Sequence, residues 1–204
     1  APLFFADDFH LLKTVVWGEA ASTLSERWDL LFQQHNEHRI VVPRLLTWLN
    51  FKIIGTIHWP LLALSGTLLW VASGYLFWKA FLYTKVPSWF FIPIPWILFQ
   101  PSYVDNVTWT ISILQQAVII FWVSVLLYAV VHRSLWAFMV ALIASFTHGN
   151  GIFRIGIVLI LLGLTRRWRE VLIWTIFLGF LSILYFSGFQ KGQNADFLRS
   201  LASL

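Results

Sequence analysis

Two polar groups near the start of the chain hold most of the side chains that could react. Asp7 and Asp8 stand together in Phe5-Ala6-Asp7-Asp8-Phe9-His10, acids set between aromatic rings. At a membrane surface such carboxylates could act as a general base or hold a divalent cation; the same residue types also suit a solvated helix cap or turn. The second group is His35-Asn36-Glu37-His38-Arg39, followed by Pro43 and Arg44. On a helix, His35 and His38 would face one way as metal ligands, but no acid follows at established ligand spacing. Arg39 and Arg44, with a protonatable histidine, suit a phosphate better, because guanidinium groups offer it paired donors. The alternative is a polar segment tied to neighbouring loops. A third set comes later: His148 and Asn150 within a Gly-containing turn, and Arg154 near the start of an apolar segment. An ionisable residue there is costly enough to imply a partner or a watery cavity, unless it snorkels to the headgroups.

The elements that position these residues must be membrane helices. Hydrophobic residues make up 59% of the 204 and charged residues only 11%, against about 25% charged in an ordinary soluble domain. A water-soluble shell cannot be built from that. There are 13 Trp and 19 Phe, which suit interfacial belts and packed helix faces, and no Cys, which excludes disulfides, thiolate metal sites and a cysteine nucleophile. The fold class expected is all-α: a polytopic transmembrane bundle of about six crossings, preceded by an extracytoplasmic N-terminal segment containing amphipathic helices. Residues 1–55 form that segment, 56–190 the bundle, and 191–204 a polar tail or the start of a next loop.

Within 1–55 lie six of the nine acidic residues: Asp7, Asp8, Glu19, Glu26, Asp29 and Glu37. Leu24, Trp28, Leu31 and Phe32 recur at helical spacing, as in a helix lying on a membrane or protein surface, with Thr23 and Glu26 placed to form a capping box at its start. The expected crossings are 57–83, 86–99, 109–131, 135–147, 152–165 and 171–189. The second holds Pro87, Pro93 and Pro95 and is short for a span. If it does cross, Lys85, Arg133, Arg166, Arg167 and Arg169 all lie on one side, opposite the acidic segment, and that side is cytoplasmic.

The order Phe5-Ala6-Asp7-Asp8-Phe9-His10-Leu11-Leu12, then Gln33-Gln34-His35-Asn36-Glu37-His38-Arg39-Ile40-Val41, Pro43-Arg44-Leu45 and His148-Gly149-Asn150-Gly151, resembles bacterial polytopic membrane proteins related to the C-type (GT-C) integral membrane glycosyltransferases. The resemblance runs nearly the whole length of the chain and is sharpest in the His-Asn-Glu-His-Arg block. It matches the N-terminal half of such an enzyme. It implies a sugar donor on a polyprenyl phosphate, hence no nucleotide-binding motif, and an acidic motif in the first outer loop as catalytic base or part of a metal site. That role falls on Asp7 or Asp8. Physical argument adds Glu37, His38, Arg39, Arg44, His148, Asn150 and Arg154 as donor-phosphate contacts or their supports.

The partners expected are membrane lipid, a polyprenyl-phosphate-linked sugar and other membrane subunits, in a bacterial inner membrane. Nucleic acid is excluded, since no basic patch with stacking aromatics stands clear of the apolar segments. The rival reading is a non-catalytic structural or accessory subunit of a larger membrane complex, packing its Trp- and Phe-rich faces on protein, lipid or pigment.

Overall fold

The structure, a computed structural model, describes residues 7–36, 38–82 and 86–189. The N-terminal part folds as a block of three helices and a small hairpin: α1 (Asp8–Ala20), α2 (Leu24–Phe32), strands β1 (Gln34–His35) and β2 (His38–Arg39), and α3 (Val41–Ile54). The start of α2 forms as its residue types predict. The Thr23 hydroxyl accepts the Glu26 N–H at 3.2 Å, and the Glu26 carboxylate accepts from the main chain of Thr23 and Ser22, a reciprocal cap. Gly55 ends α3 in the left-handed conformation, φ 82°, its N–H donating to the Phe51 carbonyl at 2.7 Å. The Glu19 carboxylate ties α1 to α3 by accepting from the Trp48 indole at 2.7 Å and the Lys52 ammonium at 2.6 Å. Of the apolar positions on α2, Leu31 is buried, whereas Leu24 and Trp28 are exposed.

Three helices have the length and composition to cross a hydrocarbon layer of about 30 Å: α4 (Trp59–Leu82), the helix Thr110–Val131 and α11 (Trp168–Phe186). The middle one comprises α7 (Thr110–Ser112) and α8 (Val118–Val131), joined by a π-helical turn over Ile113–Ala117 that buries Gln115 and leaves Gln116 exposed. Of the six expected crossings, three therefore coincide with a helix of spanning length. Residues 86–99 form a 3-10 turn (Ser88–Phe91) and the six-residue α5 (Pro93–Leu98), a helix only about 9 Å long. Pro87, Pro93 and Pro95 each lack the main-chain donor that a continuous helix needs. Likewise α9 (Ala137–Thr147) and α10 (Asn150–Leu164) reach only about 16 and 22 Å.

The proline-rich stretch nonetheless returns along α4 in pieces. Helix α4 buries one stripe, Leu62, Gly66, Trp70 and Ser73, spaced three and four residues apart as a single face requires. Against it lie, in order, Phe91 on Trp78 (ring centroids 4.9 Å), Phe99 and Tyr103 on Trp70 (5.2 and 6.0 Å), and Ile113 against Gly66. A Cβ on Gly66 would stand 3.0 Å from the Ile113 side chain, so the small residue sets how closely the chains approach. From Trp78 to Gly66 the chain travels back about 18 Å along the axis of α4, ending with the short α6 (Val104–Thr108) just before Thr110.

These directions give the bundle two chemically distinct ends. At one, α8 and α10 finish with Arg133 and Arg166 in the left-handed conformation, φ 54° and 55°, while Ser134 and Arg167 N–H groups donate five residues back to Ala129 and Leu162, both at 2.9 Å. Glycine usually takes this position. Arginine is strained there by roughly 1 kcal/mol, which a cation at the negative end of a helix offsets in part. Arg167 also donates to the Val130 carbonyl at 3.0 Å and pairs with Glu170, joining the two turns. At the other end sits the N-terminal block. Single cysteines introduced at Trp28 and Arg166 of this Cys-free chain should react with an impermeant maleimide from opposite sides of sealed vesicles. Reaction of both from one side would contradict this two-ended arrangement.

Candidate functional site

The block closes on the bundle through polar contacts to main-chain groups at helix ends. Asp8, 1% exposed, accepts the Ile111 N–H at 2.9 Å at the start of the spanning helix. Asn50 accepts the His58 N–H at 2.8 Å, just before α4. The Arg39 main-chain N–H donates to the Tyr185 hydroxyl at 2.9 Å. Its guanidinium donates to the carbonyls of Tyr185 at 2.7 Å, Phe32 at 2.6 Å and Ser187. Arg44, 1% exposed, donates to the carbonyls of Leu31 at 3.1 Å and of Gln33. All five carbonyls lie in or just past the last turn of α2 or α11, where no intrahelical donor remains, and a cation there also meets the helix dipole. Burial, then the charge of Arg39, pushes Arg44 down to about 10, so it stays charged at neutral pH. Arg39 and Arg44, two of the three arginines expected to contact a donor phosphate, are thus engaged by protein carbonyls.

Four of the six histidines stand in a row. His35 and His38 are paired across the hairpin, on strands rather than on the helix that i, i+3 spacing assumes. His10 packs on His35 and His38 on His148, both with ring centroids 4.3 Å apart. His35 and His148 are buried, and the Nδ1 atoms of His35 and His38 have no hydrogen-bond partner among the described residues. His148 Nδ1 accepts the Asn150 N–H at 3.1 Å, which leaves Nε2 to carry the proton. Gly149 is required by His38: a Cβ there would stand 2.3 Å from the imidazole Nδ1. A Cβ on Gly151 would meet the Ala144 carbonyl oxygen at 2.1 Å. The Gly-Asn-Gly turn therefore owes its glycines to close approach, not to a left-handed backbone.

Two of the expected site residues are placed differently from these. Asp7 is half-buried beside His10 and His35, close enough for its negative charge to favour their protonated forms. Arg154, half-buried one turn along α10 from Asn150, makes no hydrogen bond or ion pair with the described residues. Glu37 lies outside the described residues. Asp8 accepts the Ile111 N–H through one carboxylate oxygen, and among the described residues no three His, Asp or Glu side chains gather to hold a metal ion. His10 escapes a reading based on residue type, although it stands three residues after Asp7 and so shares its helical face. Neither protein-family models nor the curated proteins and solved structures contain a match to the chain.

The row of imidazoles makes stability depend on pH. Burial, then the proximity of His10, holds His35 down to about 4 from the usual 6.5; Arg44 and His38 act in the same direction and Asp7 opposes them. Above pH 6.5 native and unfolded chains both carry His35 neutral. Between 6.5 and about 4 only the unfolded chain takes up the proton, so stability falls as pH falls, by up to roughly 1.4 kcal/mol per pH unit. The melting temperature in detergent should drop between pH 7 and pH 5, and the drop should shrink in His35→Gln. An equal drop in that variant would contradict the assignment.

Proposed function

We propose that this chain is a membrane glycosyltransferase-like protein, or the N-terminal portion of one, that takes a sugar from a polyprenyl-phosphate donor at the end of the bundle covered by the N-terminal block. The observation that carries this reading is Arg154: a guanidinium half-buried on an apolar helix, without a partner among the described residues. An unpaired charge in such a place costs several kcal/mol unless an anion or water meets it, and a lipid-linked phosphate brings both a negative charge and an apolar tail. It stands close to His148, whose ring burial holds neutral, so that it adds a donor without adding charge. Asp7 is the remaining carboxylate for the acceptor hydroxyl, with His10 next to it to share the proton. Asp8 holds the block to the bundle instead.

The block end is extracytoplasmic in this reading, in a bacterial inner membrane, because Arg133, Arg166, Arg167 and Arg169 gather at the opposite end and basic loops are retained in the cytoplasm. The broken return along α4 and the short α9 and α10 then complete the passages between the two sides, with block residues filling the depth that the short helices leave. The second reading, a non-catalytic subunit, draws on a different observation. Asp8, Arg39 and Arg44, polar residues that a site would use, are committed to packing.

Transfer from a radiolabelled polyprenyl-linked sugar, measured with the full-length protein in detergent, separates the two. Asp7→Asn should lower turnover by about a hundredfold, the scale of losing a general base, and Arg154→Gln should weaken donor affinity about ten- to a hundredfold. Both variants should accumulate in the membrane as the parent does. Full activity in both would remove Asp7 and Arg154 from the site, and no transfer by the parent would remove the transferase reading and favour the subunit.

A further inference from the structure

The arginine end carries a pocket of its own, of about 220 Å³, between the α8–α9 turn and the first turns of α11. That is below the roughly 300 Å³ at which pockets begin to enclose a whole small molecule. Its floor is apolar: Phe138 and Trp174 stack with ring centroids 4.5 Å apart and Ile173 stands beside them. Its rim is polar, formed by Arg133, Ser134 and Glu170. The Glu170 carboxylate is taken by Arg167 in a two-bond pair, and Arg133 only brushes it at 4.0 Å. Two arginines against one carboxylate leave a positive charge at the rim, and the Arg133 side chain is 72% exposed. On the same elements Leu135, Leu172 and Ile176 are each more than 60% exposed, an apolar surface that suits hydrocarbon rather than water.

We propose that this pocket is a binding site for one anionic phospholipid, its phosphate against Arg133 and the upper part of one acyl chain over Phe138, Trp174 and Ile173. An apolar floor beneath a cationic rim, opening onto a surface built for lipid, matches that ligand in both its parts. A zwitterionic lipid would fill the floor but bring its own ammonium group to the rim. A free phosphate would meet the rim and gain nothing from the floor. Arg133 is suited to the contact because its left-handed backbone projects it from the turn, and a guanidinium offers a phosphate two parallel donors. The site lies at the opposite end from Arg154 and is independent of any transferase activity.

Native mass spectrometry of the detergent-purified full chain tests this directly, with phosphatidylglycerol and phosphatidylcholine of matched acyl chains as probes and glycerol 3-phosphate as the headgroup-only control. The chain should retain phosphatidylglycerol about tenfold more strongly than phosphatidylcholine. Arg133→Gln should abolish that preference, and Ile173→Trp, which fills the floor, should weaken both lipids, with unchanged melting temperatures in each variant. Equal retention of the two lipids, a preference that survives Arg133→Gln, or equal competition by glycerol 3-phosphate would each overturn the proposal. So would occupation of the pocket by a second copy of the chain, seen as a dimer that Ile173→Trp disrupts.

Discussion

Every helix ends with carbonyl groups that its own main chain cannot satisfy, and in an apolar bundle water is not at hand to do so. The rest of this structure depends on how those carbonyls are met. Arginine meets them repeatedly: Arg44 at the end of α2, Arg39 at the ends of α2 and α11 together, and Arg167 at the end of α8. A charged donor is worth about 1.5 to 3 kcal/mol per hydrogen bond where a neutral one is worth about 1. One planar guanidinium can also reach carbonyls on two helices at once. Arg39 does this across more than 140 residues of sequence, joining Phe32 to Tyr185.

Several other features follow from that closure. With α2 and α11 held through one side chain, the hairpin is pressed onto the α9–α10 turn closely enough that His38 lies against Gly149, and only glycine leaves room for it. The same compression buries His35 and His148, and burial holds both imidazoles neutral at ordinary pH. Asp8 and Asn50 repeat the device at helix starts with reversed polarity, each accepting a main-chain N–H that has no partner within its helix. Polar side chains are therefore dense at this end for reasons of closure. Arg154 stands outside the scheme, which is why it is the residue on which a ligand reading rests.

The membrane character and the all-helical fold were legible in composition and in long apolar runs, and the cap at Thr23 was legible in two residue types three apart. The number of spanning helices was not. An apolar run between polar turns looks alike whether it forms 11 residues of helix, as at Ala137–Thr147, or a broken return, as at 86–109. What distinguishes them is tertiary: the stripe on α4 that the return packs against. The site was legible as a collection of residues and not as a set of roles. Arginine near histidine suits a phosphate and a helix-end carbonyl equally well by residue type, and the choice depends on whether Leu31, Phe32 and Tyr185 arrive within reach. His10 went unnoticed because its partner in space, His35, is 25 residues away.

The central claim, that Arg39 and Arg44 are closures rather than ligand contacts, is tested most directly by hydrogen–deuterium exchange of the full chain in detergent, comparing the parent with Arg39→Gln. Loss of the closure should speed exchange at two separated places together, the hairpin around residues 34–39 and the end of α11 around 183–189, by about ten- to a hundredfold, as expected for losing about 1.5 to 3 kcal/mol of local stability. Unchanged protection at both places, with lowered affinity for a polyprenyl-phosphate donor, would contradict the account and return Arg39 to the role of a phosphate ligand.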